Sequence, residues 1–195
     1  MGTVENKTND SALFQFAQTL SAAIGTKDAN IQAHSERVAK YSREIAKRYG
    51  LSDEEQDNIY MMGLLHDIGK IGISEMVLNK PGRLMDMEEE IFKRHTLIGE
   101  EILKNIKDYP KFSSVALSHH ERFDGQGYPN GIAGENIPME ARIVAVADAY
   151  DEMTAEKIFA MPLSKDQAKE EIKNESGSKF DPEFASIMLQ IIDEE

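Results

Sequence analysis

The sequence predicts an all-α fold, a bundle of helices interrupted by one long glycine-rich loop. Three observations predict it. Apolar residues recur at helical rather than alternating spacing through most of the chain, capping signals stand where helices should begin, and no segment alternates convincingly enough for a strand. With 195 residues, 41% of them hydrophobic, the chain has apolar surface for one good core, and a single domain over residues 11–195 is expected.

Residues 1–10 are polar and are expected to form a disordered lead-in or linker. From Ser11 to Ile24, Leu13, Phe14, Phe16, Ala17, Leu20 and Ile24 mark a first helix. A second should run from Ala29 to Tyr49, where Gly50 stops it, with Val38, Tyr41, Ile45 and Ala46 facing the core. Ser52 and Glu55 form a capping box that opens a third helix, which carries Ile59, Met62 and Leu65 towards His66 and the turn at Ile68-Gly69. Gly72, Pro81 and Gly82 make residues 71–84 a loop with one short helix. Further helices are expected over Met87–His95, Thr96–Asn105 and Tyr109–His120. Between Glu121 and Pro138 stand Gly125, Gly127, Gly131 and Gly134 with two prolines, a long loop of the kind that lines sites. A buried helix follows over Ala141–Glu156. Ser164 with Gln167 opens another, and Asp181-Pro182 starts the last with a cap and a first-position proline.

The formal net charge of −13 argues against nucleic-acid polymers and anionic membranes as partners, since both require clustered basic residues. No apolar run approaches the roughly 18–20 residues that span a bilayer, and the N-terminus is not signal-like, so a cytoplasmic location is expected. Cysteine is absent, so any metal must be held by imidazole and carboxylate. A nucleotide remains an allowed substrate if bound cations meet its phosphates.

The five histidines are His34, His66, His95, His119 and His120. His66-Asp67 at a helix end offers an imidazole and a carboxylate together, and a carboxylate can bridge two cations. Taken singly, His34 or His95 is more often a surface or hydrogen-bonded residue than a ligand, and His119-His120 would also suit a solvated helix end. Asp148 stands in the apolar stretch Ile143–Ala149, where a carboxylate needs a cation, either a lysine or a metal.

In their order these residues, with HDIGKIGIS at 66–74, NKPGRL at 79–84, HTLIGEEIL at 95–103, HHERFDGQGYPNGIAGENIP at 119–138, RIVAVADAYDEMT at 142–154 and SGSKFDP at 176–182, resemble the HD-GYP family over about Lys27–Leu189. That span leaves no room in these residues for a separate sensory domain. The resemblance implies an HD-domain-like helical bundle and a cluster of two or three metals, commonly iron or manganese. Carried over by position, His34, His66, Asp67, His95, His119, His120 and Asp148 would be the metal ligands, with Asp67 bridging. Lys70 would contact the substrate phosphate beside Asp67, and Gly127, Tyr128 and Pro129 would form the loop that names the family.

Two departures matter. Family members carry arginine-proline-tyrosine-arginine after the helix of Asp148, where this chain has Lys157, Ile158, Phe159 and Ala160, so one phosphate contact is weakened to the point charge of Lys157 and one is lost. Asn30 stands where trinuclear members have glutamate, which favours two metals. The resemblance implies a phosphodiesterase that opens cyclic di-GMP to the linear dinucleotide and on to GMP. The alternatives are a metal-loaded but weakly active signalling module and an HD phosphohydrolase acting on another cyclic nucleotide. Ser11–Ile24 is compatible with core packing or with pairing to a second copy or a sensory partner.

Overall fold

The computed structural model describes residues 2–27, 29–106, 109–156 and 161–194, with residues 2–11 and 29 described by backbone alone. Among the described residues the fold is all-α. The helices are α1 (Gly2–Gly25), α2 (Ala29–Tyr49), α3 (Asp53–Leu65), α4 (Glu75–Leu78), α5 (Asp86–Lys93), α6 (His95–Leu103), α7 (Lys111–Ser118), α8 (Met139–Thr154), α9 (Lys165–Asn174) and α10 (Pro182–Glu194). Short 3₁₀ turns occupy Ile68–Gly72 and Gly134–Asn136, and among the described residues extended pairing is limited to one bridge between Ser176 and Phe180. No described helix is long and apolar enough to cross a membrane.

Local signals account for several starts. Ser52 accepts from the backbone N–H of Glu55 while Glu55 accepts from that of Ser52, and Ser164 and Gln167 repeat the arrangement on α9. Each reciprocal cap satisfies two donors that a bare helix end would leave open.

Most helix ends differ from those expected by a residue or two, and three differences bear on the core or the site. α1 begins at Gly2 rather than Ser11. α3 stops at Leu65, so His66 caps it instead of lying within its last turn. His95 opens α6 rather than closing α5, because the chain turns at Arg94 and starts a new helix there. Phe14 and Phe16, two of the apolar residues that mark α1, are 37% and 47% exposed, while Ala17 and Ile24 are buried. Helical spacing groups residues on one side but does not say how much of that side a neighbour covers. Phe14 is met by Tyr60 in a stacked pair, centroids 5.8 Å apart.

The core lies where α2 packs against α3 and α8, with α10 closing over α2, α8 and α9. Ile45, Ile59, Leu65, Ile143, Tyr150 and Phe184 are fully buried in it. α6 lies against both the 3₁₀ turn and α7, which brings the beginning of α6, the end of α7 and the end of α3 to one place. Residues 157–160, including Lys157 and Ala160, lie outside the described residues.

Candidate metal centre

Two glycines set the frame of the site. A Cβ on Gly69 would stand 1.9 Å from the His95 carbonyl oxygen and 2.5 Å from Gly99 N, so only glycine lets the 3₁₀ turn after Asp67 press against the first turn of α6. A Cβ on Gly127 would lie 2.3 Å from Arg122 N and 2.5 Å from the Glu121 Cα, so the glycine-rich loop folds back onto the residues just after His120. Tyr128 N–H then donates to the His120 carbonyl at 3.2 Å, and the two rings stack with centroids 4.8 Å apart. The Tyr128–Pro129 peptide is cis. Glu121 is buried and accepts from Asn130 N–H at 2.7 Å, a second tie across the same loop.

Backbone carbonyls orient three imidazoles. His66 Nδ1 donates to Gly63 O at 2.7 Å, His95 Nδ1 to Phe92 O at 2.7 Å, and His119 Nδ1 to Ala116 O at 3.0 Å. A carbonyl only accepts, so each Nδ1 carries a proton and each Nε2 is left to face inward. These Nε2 atoms converge on Asp67. His66 lies 3.4 Å from Oδ2, His95 3.4 Å from Oδ1 and His119 3.8 Å from Oδ1.

The two carboxylate oxygens of Asp67 therefore serve two groups. Beside Oδ2 are His66 and His34, whose Nε2 is 3.6 Å from that oxygen and 3.1 Å from Asp148 Oδ1. Asp148 Oδ1 is also 3.6 Å from His66 Nε2. Asp67, His95, His119 and His120 offer ligand atoms all within 4.8 Å of one another, as do His34, His66 and Asp67, so Asp67 belongs to both sets. All seven residues expected as ligands lie in this one cluster.

The donor set fits divalent cations. His66 Nε2 and Asp67 Oδ1 are buried without a hydrogen-bond partner among the described residues. His95 Nε2 and His119 Nε2 face each other at 3.4 Å although both rings spend their protons on carbonyls. Opposed lone pairs and a bare buried carboxylate oxygen are costly alone and favourable around a cation.

The electrostatics differ between the two sets. Burial opposes charge on His34, yet Asp148 and Asp151 raise it to about 9. Burial likewise opposes charge on His66, but Asp67 and Asp148 raise it to about 10. On the other side burial dominates. His95 is lowered, burial and the neighbouring His120 hold His119 well below the usual imidazole range, and burial takes His120 down to about 3. Burial pushes Asp67 up, but Lys70 and His66 overcome it and hold the carboxyl well below its ordinary value. Asp148 is held low against burial by His34 and His66. Without metal, one set is charged by protons and the other is neutral.

Lys70 is ion-paired through Nζ to Asp67 Oδ2, and its ammonium stands 5.5 Å from the Phe92 ring centroid. Three residues bearing on the site lay outside the expected set. Asp151 Oδ2 accepts from His34 Nδ1 at 2.7 Å, and its carboxylate is gripped by Arg37 at 2.5 and 3.0 Å. The signal was present in the spacing, since Asp148 and Asp151 stand three apart on one helix, as do His34 and Arg37. Lys27 has no such signal; its Nζ donates to the carbonyls of Ile71, at 3.0 Å, and Ile73, closing the end of the 3₁₀ turn. Asn30 lines a 460 Å³ cavity on the His34 side of the cluster, with Lys70 and Asp151.

Comparison with known proteins fits this geometry. A family model described as HD domain matches residues 18–184. Over 175 residues the chain is 41% identical to the cyclic di-GMP phosphodiesterase response regulator RpfG of Xanthomonas campestris pv. campestris, a match covering 88% of this chain and 46% of that protein. It is 35% identical over 182 residues to a 3′3′-cGAMP-specific phosphodiesterase 2 of Vibrio cholerae, covering 92% of this chain and 35% of the relative. The chain thus spans about a third to a half of the length of these curated relatives. Among solved structures, the HDG"Y"P protein Bd1817 of Bdellovibrio bacteriovorus superposes with a TM-score of 0.72 at 21% identity, covering 94% of this chain and 62% of that one, a likeness of fold.

Proposed function

This chain belongs to the HD domain family, and we propose that it is a metal-dependent phosphodiesterase that hydrolyses cyclic di-GMP to the linear dinucleotide and on to GMP. The observation that carries the reading is the division of Asp67, with one oxygen turned to His95 and His119 and the other to His34 and His66. A carboxylate so placed suits a bridge between two cations, with His34, His66 and Asp148 holding one and His95, His119 and His120 the other. Iron or manganese suits such nitrogen and oxygen donors without sulfur. Divalent cations bound there would acidify a water and draw charge from phosphoryl oxygens.

The chain's own residues do the rest. Nδ1 protons donated to backbone carbonyls keep three Nε2 atoms aimed inward, so these rings need little reorientation when the site fills. Lys70, beside Asp67, is the cation set to meet a phosphoryl oxygen as charge builds there. The loop of Gly127, Tyr128 and Pro129 covers one flank, where the Tyr128 ring lies against His120 and holds that imidazole's plane. The catalytic unit in this reading is residues 11–195. The similarity to a 3′3′-cGAMP-specific enzyme supports a second substrate reading within the same chemistry.

The test is turnover by protein purified without chelating resin, assayed with cyclic di-GMP and with 3′3′-cGAMP in iron, in manganese and without added metal. Metal-dependent release of the linear dinucleotide from cyclic di-GMP, faster than from 3′3′-cGAMP, is expected. A full metal cluster with no turnover of either substrate would favour a signalling module instead.

A further inference from the structure

A cyclic dinucleotide carries two phosphodiesters. If one lies at the metal cluster, the other must rest in an adjoining cavity, and in a protein of net charge −13 it needs a local cation. Among the described residues, cavities adjoin the cluster on two sides. In the 460 Å³ cavity on the His34 side, the described cations Arg37 and Lys70 are both bound to carboxylates. The 330 Å³ cavity on the other side is also lined by carboxylates, Glu89, Glu121 and Glu152 among them, but it reaches from His119, His120 and Asp148 to three cations. Of these, Lys93 is held by Glu89 and Glu90 at 3.1 Å each, and Arg122 by Asp124 at 2.7 Å and Glu175 at 3.2 Å. Lys179 has no ion pair among the described residues; its ammonium lies over the Phe180 ring, 5.2 Å from the centroid.

The backbone beneath Lys179 is anchored. Phe123 N–H donates to the Lys179 carbonyl at 3.2 Å, Asp124 N–H to that of Ser178 at 2.8 Å, and Gly177 N–H to that of Phe180 at 2.8 Å. The segment is thereby tied to the start of the glycine-rich loop. Lys179 also lines the next cavity, of 290 Å³, so it stands where the two meet.

We propose that Lys179 binds the uncleaved phosphate of a cyclic dinucleotide, a specificity contact distinct from those at the scissile phosphate. The inference rests on the phosphodiesterase reading above. It is tested on the manganese-loaded chain by measuring the dissociation constant of cyclic di-GMP and the KM for cyclic di-GMP and for bis(p-nitrophenyl) phosphate, a diester with a single phosphate. Lys179→Gln should weaken cyclic di-GMP binding and raise its KM about three- to tenfold, by more than any change with the small diester, and the effect should shrink in high salt. Lys179→Arg should recover most of the loss. Lys40→Gln, which removes the same charge from an exposed site on α2, should change either value less than about twofold.

Wild-type behaviour of Lys179→Gln, or an equal loss on both substrates, overturns the role of Lys179 while leaving the phosphodiesterase reading intact. Hydrolysis of the small diester by a wild-type protein that neither binds nor cleaves cyclic dinucleotides overturns the substrate reading, and this inference with it.

Discussion

His34 and Asp151 share a 2.7 Å hydrogen bond, from Nδ1 of the ring to Oδ2 of the carboxylate, across 117 residues of sequence. The bond leaves His34 Nε2 facing Asp148 at 3.1 Å. Arg37 holds Asp151 in place from the far side at 2.5 Å, which makes the carboxylate a positioning group for the imidazole. Asp151→Asn should therefore lower manganese affinity about 10- to 100-fold. Competition with a chelator of known affinity measures it. The variant should also drop the His34 pKa from about 9, because Asp151 is one of the two carboxylates that raise it, and NMR titration of the metal-free protein reads this directly. An unmoved His34 titration would show that Asp151 does not govern the ring.

Asp67 should be worth more than any terminal ligand, since both sets of imidazoles meet on it. Asp67→Ala should empty the whole cluster, whereas His95→Ala should leave one ion, on the His34 side. Metal content per chain of the two variants, after identical purification, decides the matter. Equal residual metal in both would mean that the carboxylate does not bridge.

Filling the site should release protons from only one side of it. His34 at about 9 and His66 at about 10 are charged in the metal-free protein at pH 8, whereas burial keeps His95, His119 and His120 neutral. Manganese binding at pH 8 should then release about two protons, where unperturbed histidines near 6.5 would release almost none. Calorimetric titration in buffers of different ionisation enthalpy counts them. Affinity should accordingly rise with pH up to about pH 9–10.

The metal-free protein should be most stable in a window around pH 6.5. Above it, the folded state holds protons on His34 and His66 that the unfolded chain has lost, so stability falls as pH climbs from about 6.5 through 9–10. Below it, the unfolded chain charges three histidines that the folded state keeps neutral, so stability falls again as pH drops. Denaturant midpoints between pH 5 and 10 check both limbs. A midpoint that rises from pH 7 to 9 would contradict the assignment.

Gly69→Ala should destabilise the fold as well as the site. Its Cβ would fall 1.9 Å from the His95 carbonyl, against backbone that cannot swing aside as a side chain can. A cost of about 3 kcal/mol, at the upper end for overpacking, corresponds to a melting temperature lower by roughly 6–12 °C in a chain of this size. Gly82→Ala is the control, since a Cβ there meets nothing within 4 Å and only its φ of 88° is strained. Equal losses in both variants would mean that the close approach at Gly69 is not what holds the turn to α6.

By itself the sequence determined that the chain is helical, where α3 and α9 begin, and that imidazole and carboxylate are its only strong metal donors. Each of these follows from local chemistry: the reciprocal caps at Ser52 and Ser164 act within four residues, helical spacing repeats within a turn or two, and the absence of cysteine is a matter of composition. Motif order also singled out His34, His66, Asp67, His95, His119, His120 and Asp148. Only the tertiary structure decided which oxygen of Asp67 faces which ring, that His95 starts a helix instead of ending one, and that Phe14 and Phe16 stay partly in solvent. It alone brought Asp151 to His34 and divided five chemically identical side chains into a charged group and a neutral one. Protonation of a buried imidazole depends on which carboxylates lie within a few ångströms and how much water remains, and residues distant along the chain supply both.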